Sequence, residues 1–410
     1  MHIVALTGSF YPQLMAPSAC IKPYLIELAK ENDVDVVCPA SDLHFTDVVV
    51  VDGIHVHFVS NLFNDISVNV NSNIKEGRKR ITSRLMSLFV RGSNYLKEVA
   101  FPNAYDSSLE DAYLQKIKAV NDKSRIDVLI SVTFPFYTHV FALKFKQQFP
   151  SVKWLTYTTD PLAYNEANPI PVWKKKRATD IEQKVYDGCD YCLITEELRS
   201  NLINEYHVPE QKIVVLPYLI ETESVPTITS DKKNERPQVL YAGCLFFRVR
   251  NPKLMLEVFS ELNDIDLNLY VTGDRICRKM LKEPYPSQIK INGLVPRNEY
   301  FRLLGEADVL INLNNNAKLQ APHKLLELIS TGRPIINFYY YKNAGYEIIE
   351  KYPLGLNISN GSTLDEIRAS ISDFVSQNMN KVLSDKEIKD IYPEYLLPYQ
   401  MERIDQLINS

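Results

Sequence analysis

The strongest constraint on this chain is a recurring pattern of short, near-continuous apolar runs, bounded by turn residues and separated by segments of helical periodicity. Such runs are short for helices and too uniformly apolar for strands with one wet face. They predict strands buried on both sides, lying parallel and joined by crossover helices. In the first half the runs are HIVAL, VDVVC, DVVVVDGIHVHFV, DVLISV, KWLTYT, DYCLIT and KIVVLP. In the second they are QVLYAG, LNLYVTG, IKINGLV, DVLINLN, RPIINF and GLNIS. Between the halves, ETESVPTITSDKKNERP (Glu221 to Pro237) is polar, contains proline and has no apolar period, which marks a linker. A chain of 410 residues exceeds one ordinary core. Two α/β domains are therefore expected, over residues 1–221 and 238–388, with the linker over 222–237.

Composition narrows the function classes. An apolar fraction of 45% with 23% charged residues belongs to a folded chain. A net charge of -4 supplies no global field for nucleic acid, so no nucleic-acid partner is expected. MHIVALTGSFYP enters an apolar strand directly, with neither a basic n-region nor a cleavage site, and no run reaches the length of a membrane span. The expected location is cytoplasmic, with any membrane contact peripheral at the inner face. The six cysteines are scattered; Cys189 and Cys192 form an isolated C-x-x-C that runs into an apolar strand, so reduced thiols in a reducing compartment are expected. Asp33-Val34-Asp35 and Asp264-Ile265-Asp266 read as polar flanks of strands, and no metal site is expected.

Each half opens with strand, small-residue turn and helix, the geometry that offers backbone N–H groups to a phosphate. In the first half that turn runs from Gly8 to Ala19, making Gly8, Ser9 and Ser18 candidates for a phosphate or acceptor loop. The absence of G-x-G-x-x-G disfavours an NAD enzyme. The second half holds ADVLINLNNNAKLQAPHKLLELISTGRPIINF: a strand to Leu313, a polar loop through Asn314, Asn315 and Asn316, a helix started by Pro322 and stopped by Gly332. His323, Lys324 and Glu327 share one face of that helix. A carboxylate there can accept both hydroxyls of a ribose while Lys324 and the helix end face a diphosphate. The same spacing also fits an exposed Lys–Glu pair.

Pro322-His323-Lys324-Leu325-Leu326-Glu327, followed by LISTGRPII, resembles the P-S-K-x-x-E-Y-x-A-x-G-K-P-V-I signature of bacterial GT-B glycosyltransferases of the group 1, family 4-like type. The resemblance implies two Rossmann-like parallel-sheet domains facing a central cleft, with Glu327 on the ribose of a nucleotide sugar. The chain departs from the pattern at Leu319, where many members carry an acid eight positions upstream of the ribose Glu. VLYAGCLFFRVRNPKLMLEVF is similar to the opening of the family's second domain, and places Gly243, Arg248 and Arg250 at the donor. An Arg at such a position can bridge two phosphate oxygens; a solvated basic loop is the plainer reading. LYVTGD and IKINGLVPRNEYFRLLGEAD resemble the stretches whose backbone flanks the base, which brings in Val295 and gives Gly243, Gly273 and Gly293 the task of admitting close approach.

In the first half, DVLISVTFPFYTHVFALKFKQQFPSVKWLTYTTDP resembles the family's acceptor-side pattern, with His139 and Asp160 in its polar places, both expected at strand C-termini. Asp160 is then the candidate to orient or deprotonate an acceptor hydroxyl. As a bare residue, His139 also reads as a satisfied structural histidine. Thr158 stands where many relatives outside this subgroup carry a His. Glu182 lies in a stretch similar to the closing part of the first domain, and a helix over 389–410 resembles the one that crosses back to it. The family likeness implies transfer from a UDP- or GDP-linked sugar to a saccharide or lipid-linked acceptor of cell-envelope or exopolysaccharide synthesis, with retention of configuration and no metal or other cofactor. The segment from Lys75 to Arg91, NIKEGRKRITSRLMSLFVRG in context, is basic and amphipathic. It suits an anionic membrane surface, or equally a helix packed on the first domain with a solvated face. Two alternatives stay open: a nucleotide-sugar epimerase, which would change the donor without any acceptor, and a non-catalytic sugar-nucleotide-binding protein.

Overall fold

Each of the apolar runs forms one strand or two, and among the described residues every strand pairing but one is parallel. The computed structural model describes residues 1–12, 14–40, 48–59, 107–166, 169–220, 236–321 and 323–410. These divide into two units, Met1–Leu216 with Gln400–Ser410, and Pro217–Tyr399. Most of the linker stretch, residues 221–235, lies outside the described residues.

Unit 1 contains β1 (His2–Leu6), β2 (Asp33–Pro39), β3 (Val48–Val51), β4 (Ile54–Val59), β5 (Val128–Val132), β6 (Lys153–Thr158), β7 (Tyr191–Ile194) and β8 (Ile213–Val215). They form one sheet in the order β3-β4-β2-β1-β5-β6-β7-β8. Around it lie α1 (Ala16–Leu28), α2 (Ser107–Lys123), α3 (Tyr137–Gln148), α4 (Val172–Gly188) and α5 (Glu196–Tyr206). The long run DVVVVDGIHVHFV is two strands. β3 pairs antiparallel with β4, and the turn between them has positive φ at both Asp52 (52°) and Gly53 (79°). That backbone suits an Asp-Gly hairpin, and the exposed Val48 and Val50 of β3 mark an edge strand. Asp35 is interior to β2 rather than a flank. His2 Nε2 and His57 Nε2 lie 2.6 and 2.5 Å from its two carboxylate oxygens. Burial alone would raise this carboxyl, but those hydrogen bonds hold it well below the usual range. The Sγ atoms of Cys189 and Cys192 are buried 3.4 Å apart, and their mutual hydrogen bond and burial push the Cys189 thiol well up, consistent with inert core thiols.

Unit 2 contains β9 (Gln238–Leu245), β10 (Asp266–Gly273), β11 (Ile289–Asn292), β12 (Val309–Leu313), β13 (Ile335–Tyr339) and β14 (Gly355–Ser359), all parallel in the order β11-β10-β9-β12-β13-β14. Its helices are α6 (Lys253–Glu261), α7 (Arg275–Met280), α8 (Arg297–Glu306), α9 (His323–Ile329), α10 (Ala344–Lys351), α11 (Leu364–Asn378) and α12 (Asp385–Ile391). The sheet is buried on both faces. Met255, Phe259, Ile371 and Val375 of α6 and α11 cover one, and Leu304, Leu325, Ile329 and Ile348 of α8, α9 and α10 cover the other. Strand order reverses between β9 and β12, and in open parallel sheets ligands bind beyond the C-terminal ends at that point. The expected helix over 389–410 is interrupted. α12 stops at Ile391, a turn follows at Pro393–Tyr395, and α13 (Leu397–Asn409) completes the chain, since Pro393 cannot continue the hydrogen-bonded ladder. From Gln400 onward α13 belongs to unit 1, where Arg403 donates to the carbonyl of Val215 at 2.7 Å and Lys153 Nζ to that of Leu407 at 2.9 Å.

Candidate functional site

At the switch point of unit 2, the backbone of β9 and the side chains of α9 meet. Gly243 has φ 145°, a conformation that disfavours side chains, and a Cβ there would overlap Lys324 Nζ. A bare backbone at 243 therefore makes room for the lysine's ammonium. Nζ stands 5.6 Å from the ring centroid of Tyr241 and 5.3 Å from that of Tyr300. It has no hydrogen-bond acceptor and no ion pair among the described residues. Desolvation and the charge of Arg250 outweigh the attraction of Glu327 and bring Lys324 down to about 8. It is thus charged at neutral pH in a place that disfavours charge.

The i, i+3 ion pair between Lys324 and Glu327 does not form. Glu327 turns to α8 instead: Tyr300 Oη donates to Oε2 at 3.2 Å and Arg297 Nη1 to Oε1 at 3.3 Å. Burial, reinforced by the Glu327 charge, pushes the Tyr300 phenol well up, so it remains a donor throughout the neutral range. Tyr300 and Arg297 were not legible as site residues. Their only sequence signal is the i, i+3 spacing at the start of α8, which nothing ties to a helix some thirty residues on. Arg250 Nε donates to Asn315 Oδ1 at 2.6 Å, which fixes the guanidinium beside the polar loop after β12. Arg248 is exposed and makes no hydrogen bond or ion pair among the described residues. The His323 ring meets Tyr218 edge-on, with centroids 4.8 Å apart. Val295 packs half-buried against the core beside α8, and Leu319 is half-buried. Pro322 lies outside the described residues. With only seven residues, α9 is a weak dipole source, so the positive charge here comes mainly from side chains.

Of the three glycines expected to admit a base, Gly243 makes room for Lys324. A Cβ at Gly273 would meet Cys277 and the Leu245 carbonyl, so that glycine serves packing, whereas at Gly293 it would meet open space. The segments resembling base-flanking stretches do border one concavity of about 590 Å³, lined by Val271, Thr272, Asn292 and Gly293 on one side and by Arg275, Arg278 and Lys279 of α7 on the other.

In unit 1 the polar candidates separate. His139 sits in the first turn of α3, not at a strand end, and is fully buried. Its Nδ1 lies 2.7 Å from Ser131 Oγ and its Nε2 3.0 Å from Thr158 Oγ1, while Ser131 Oγ also accepts from Trp154 Nε1 at 2.9 Å. Burial lowers the ring to about 3, so it stays neutral, and its two nitrogens tie α3 to β5 and β6. Asp160 lies just past the C-terminal end of β6, half-buried, with Thr159 Oγ1 at 3.5 Å. The loop behind it is pinned by Glu182 of α4, whose two carboxylate oxygens accept from the backbone N–H of Leu162 (2.6 Å) and Ala163 (2.9 Å), with Tyr206 Oη as a third donor.

At the loop after β1, a Cβ on Gly8 would overlap Pro135, so Gly8 permits close packing there. Ser9 Oγ accepts from the N–H of Met15 and closes the loop. Ser18 Oγ and Thr7 Oγ1 are buried with no hydrogen-bond partner among the described residues. The segment from Lys75 to Arg91 lies outside the described residues. Among the described residues, no cluster of His, Cys, Asp or Glu could hold a metal ion, and no helix is long and apolar enough to cross a membrane.

No protein-family model and no curated protein matches this sequence. Solved structures match it over its full length. The sucrose-phosphate synthase of Thermosynechococcus elongatus aligns with a TM-score of 0.70 at 10% identity, covering 100% of this chain and 98% of that one. Anabaena HepE in complex with UDP-glucose gives 0.60 at 9% identity, covering 100% and 99%. The lipopolysaccharide outer core galactosyltransferase WaaB in its apo form gives 0.59 at 12% identity, again covering 100% and 99%. At such identities the likeness is one of fold, and the fold of this chain is GT-B.

Proposed function

We propose that this protein is a glycosyltransferase that takes its sugar from a nucleoside diphosphate sugar held in unit 2. The observation that carries the reading is Lys324: a charged ammonium laid over the bare backbone of Gly243, with no acceptor among the described residues to neutralise it. A buried charge without a partner is unfavourable unless a ligand supplies the counter-charge, and a diphosphate beside Lys324 and Arg250 does so. Glu327, oriented by Tyr300 and Arg297, keeps oxygen lone pairs for the two hydroxyls of a ribose. The structural likeness to HepE, which holds UDP-glucose, makes a uridine diphosphate sugar the first donor to try.

In the transfer, the bond from the anomeric carbon to the diphosphate breaks and a bond to the acceptor oxygen forms. Lys324 and Arg250 stabilise the charge that develops on the departing diphosphate, a task that a metal ion performs elsewhere. Asp160 orients the acceptor hydroxyl and takes its proton. The acceptor is a saccharide or a lipid-linked saccharide of envelope or exopolysaccharide synthesis, a reading supported by the likeness to WaaB.

The test is calorimetric titration of UDP- and GDP-sugars in EDTA. Binding that needs no divalent ion is expected, as is turnover. Glu327→Ala is expected to weaken it by about 1.5–3 kcal/mol, the range of charge-assisted hydrogen bonds, with an unchanged melting temperature, and Glu327→Gln to recover part. Equal affinity in a folded Glu327→Ala protein would remove the ribose assignment.

A further inference from the structure

The chain has two tryptophans, and they occupy opposite environments. Trp154 in β6 is fully buried, whereas Trp173 is 68% exposed and its neighbour Val172 is 89% exposed. Both open α4, whose first turn contains no acidic residue. Pro169 and Pro171 precede them, and Lys175, Lys176 and Arg177 follow, all exposed. Lys174 Nζ approaches the Trp173 ring at 5.0 Å, and Lys175 Nζ stands over the Tyr164 ring at 4.1 Å. Glu166 before the turn, and Asp180 and Asp187 further along α4, are the exposed acids on this stretch.

We propose that the start of α4 is a docking surface for an anionic lipid bilayer. Indole at the headgroup level beside lysine and arginine is the chemistry of membrane interfaces, where an apolar ring sinks to the acyl boundary and cations stay with lipid phosphates. A protein partner fits less well, because lysine is depleted from protein interface cores and two protruding side chains cover far less than the roughly 800 Å² that each side of a stable interface buries. The surface lies on the connection that carries Asp160 from the end of β6 into α4, so docking brings the C-terminal edge of the unit 1 sheet to the lipid. The consequence for a lipid-linked acceptor rests on the glycosyltransferase reading; docking itself does not.

The native tryptophans supply the readout. With vesicles of equal parts phosphatidylglycerol and phosphatidylcholine at low salt, the emission of Trp173 is expected to shift to the blue and to be quenched by lipids brominated on the acyl chain, while Trp154 contributes a constant buried background. Trp173→Phe should abolish both changes. Trp173→Ser should weaken vesicle binding, and Lys175→Gln and Lys176→Gln should each lower it about fivefold, with the loss growing less in high salt. Binding that leaves Trp173 emission and quenching unchanged would place the contact elsewhere and overturn the proposal, as would no binding at low salt. A Trp173 signal that varies with protein concentration in the absence of vesicles would mean a protein partner and overturn it too. None of these variants should alter UDP-sugar affinity, so failure here is separable from failure of the donor site.

Discussion

His139 in unit 1 and Lys324 in unit 2 were singled out by the same kind of sequence reasoning, yet their surroundings differ. The imidazole has a hydroxyl at each nitrogen, 2.7 and 3.0 Å away. The ammonium has two aromatic rings, a glycine backbone and no acceptor among the described residues. Hydrogen bonding within the fold completes the first, so removing it leaves the Thr158 hydroxyl without that partner and Ser131 with the Trp154 indole alone. The second has no such completion among the described residues. Satisfied polar groups in a core report on stability, and unsatisfied charges at a switch point report on ligands.

The largest expected effect tests the satisfied side. His139→Ala should lower the stability of unit 1 by about 3 kcal/mol, from the lost ring volume and the hydrogen bonds lost by Thr158 and Ser131, and leave donor affinity unchanged. Denaturant unfolding together with calorimetry checks this, and a stable variant with lost turnover would return His139 to the chemistry. Next comes the unsatisfied side. Lys324→Met should weaken sugar-nucleotide binding by about 2 kcal/mol while the melting temperature of the free protein holds or rises, because a buried charge is removed. A clear loss of stability with unchanged affinity would erase the contrast between the two sites.

The smallest effect is a pH dependence. Bound diphosphate keeps Lys324 protonated, so affinity should be level below its free value of about 8 and fall about tenfold per unit above it. Because the folded value lies below the ordinary 10.5, the unfolded chain holds the proton more tightly. This group therefore adds stability as pH rises from about 8 towards 10.5, and the loss of affinity there cannot be ascribed to its unfolding the protein. Lys324→Arg, which does not titrate, should flatten the profile.

Much of the architecture was legible because burial on both faces leaves a strand little choice of composition. That is why KWLTYT and RPIINF mark β6 and β13. The hairpin between β3 and β4 was not read, because the uniform apolar run around Asp52-Gly53 masked the turn. The break at Pro393 had a plain signal. Less of the site could be read. The helix motif pointed to Lys324 and Glu327, left a Lys–Glu pair open as the plainer reading, and gave no sign of Tyr300 or Arg297. Likewise nothing local to Glu182 says that it holds the backbone behind Asp160.

The sequence by itself determined two α/β units with parallel sheets, and which helix carries Lys324 and Glu327, because hydrophobic periodicity and helix spacing are properties of neighbours along the chain. Only the tertiary structure decided which polar groups are satisfied. The hydroxyls that complete His139 come from two strands, the backbone that receives Lys324 from a third, and the donors to Glu327 from another helix. Whether a charge finds a partner depends on distances between segments remote in sequence, and those distances exist only once the cores on both faces of each sheet have packed.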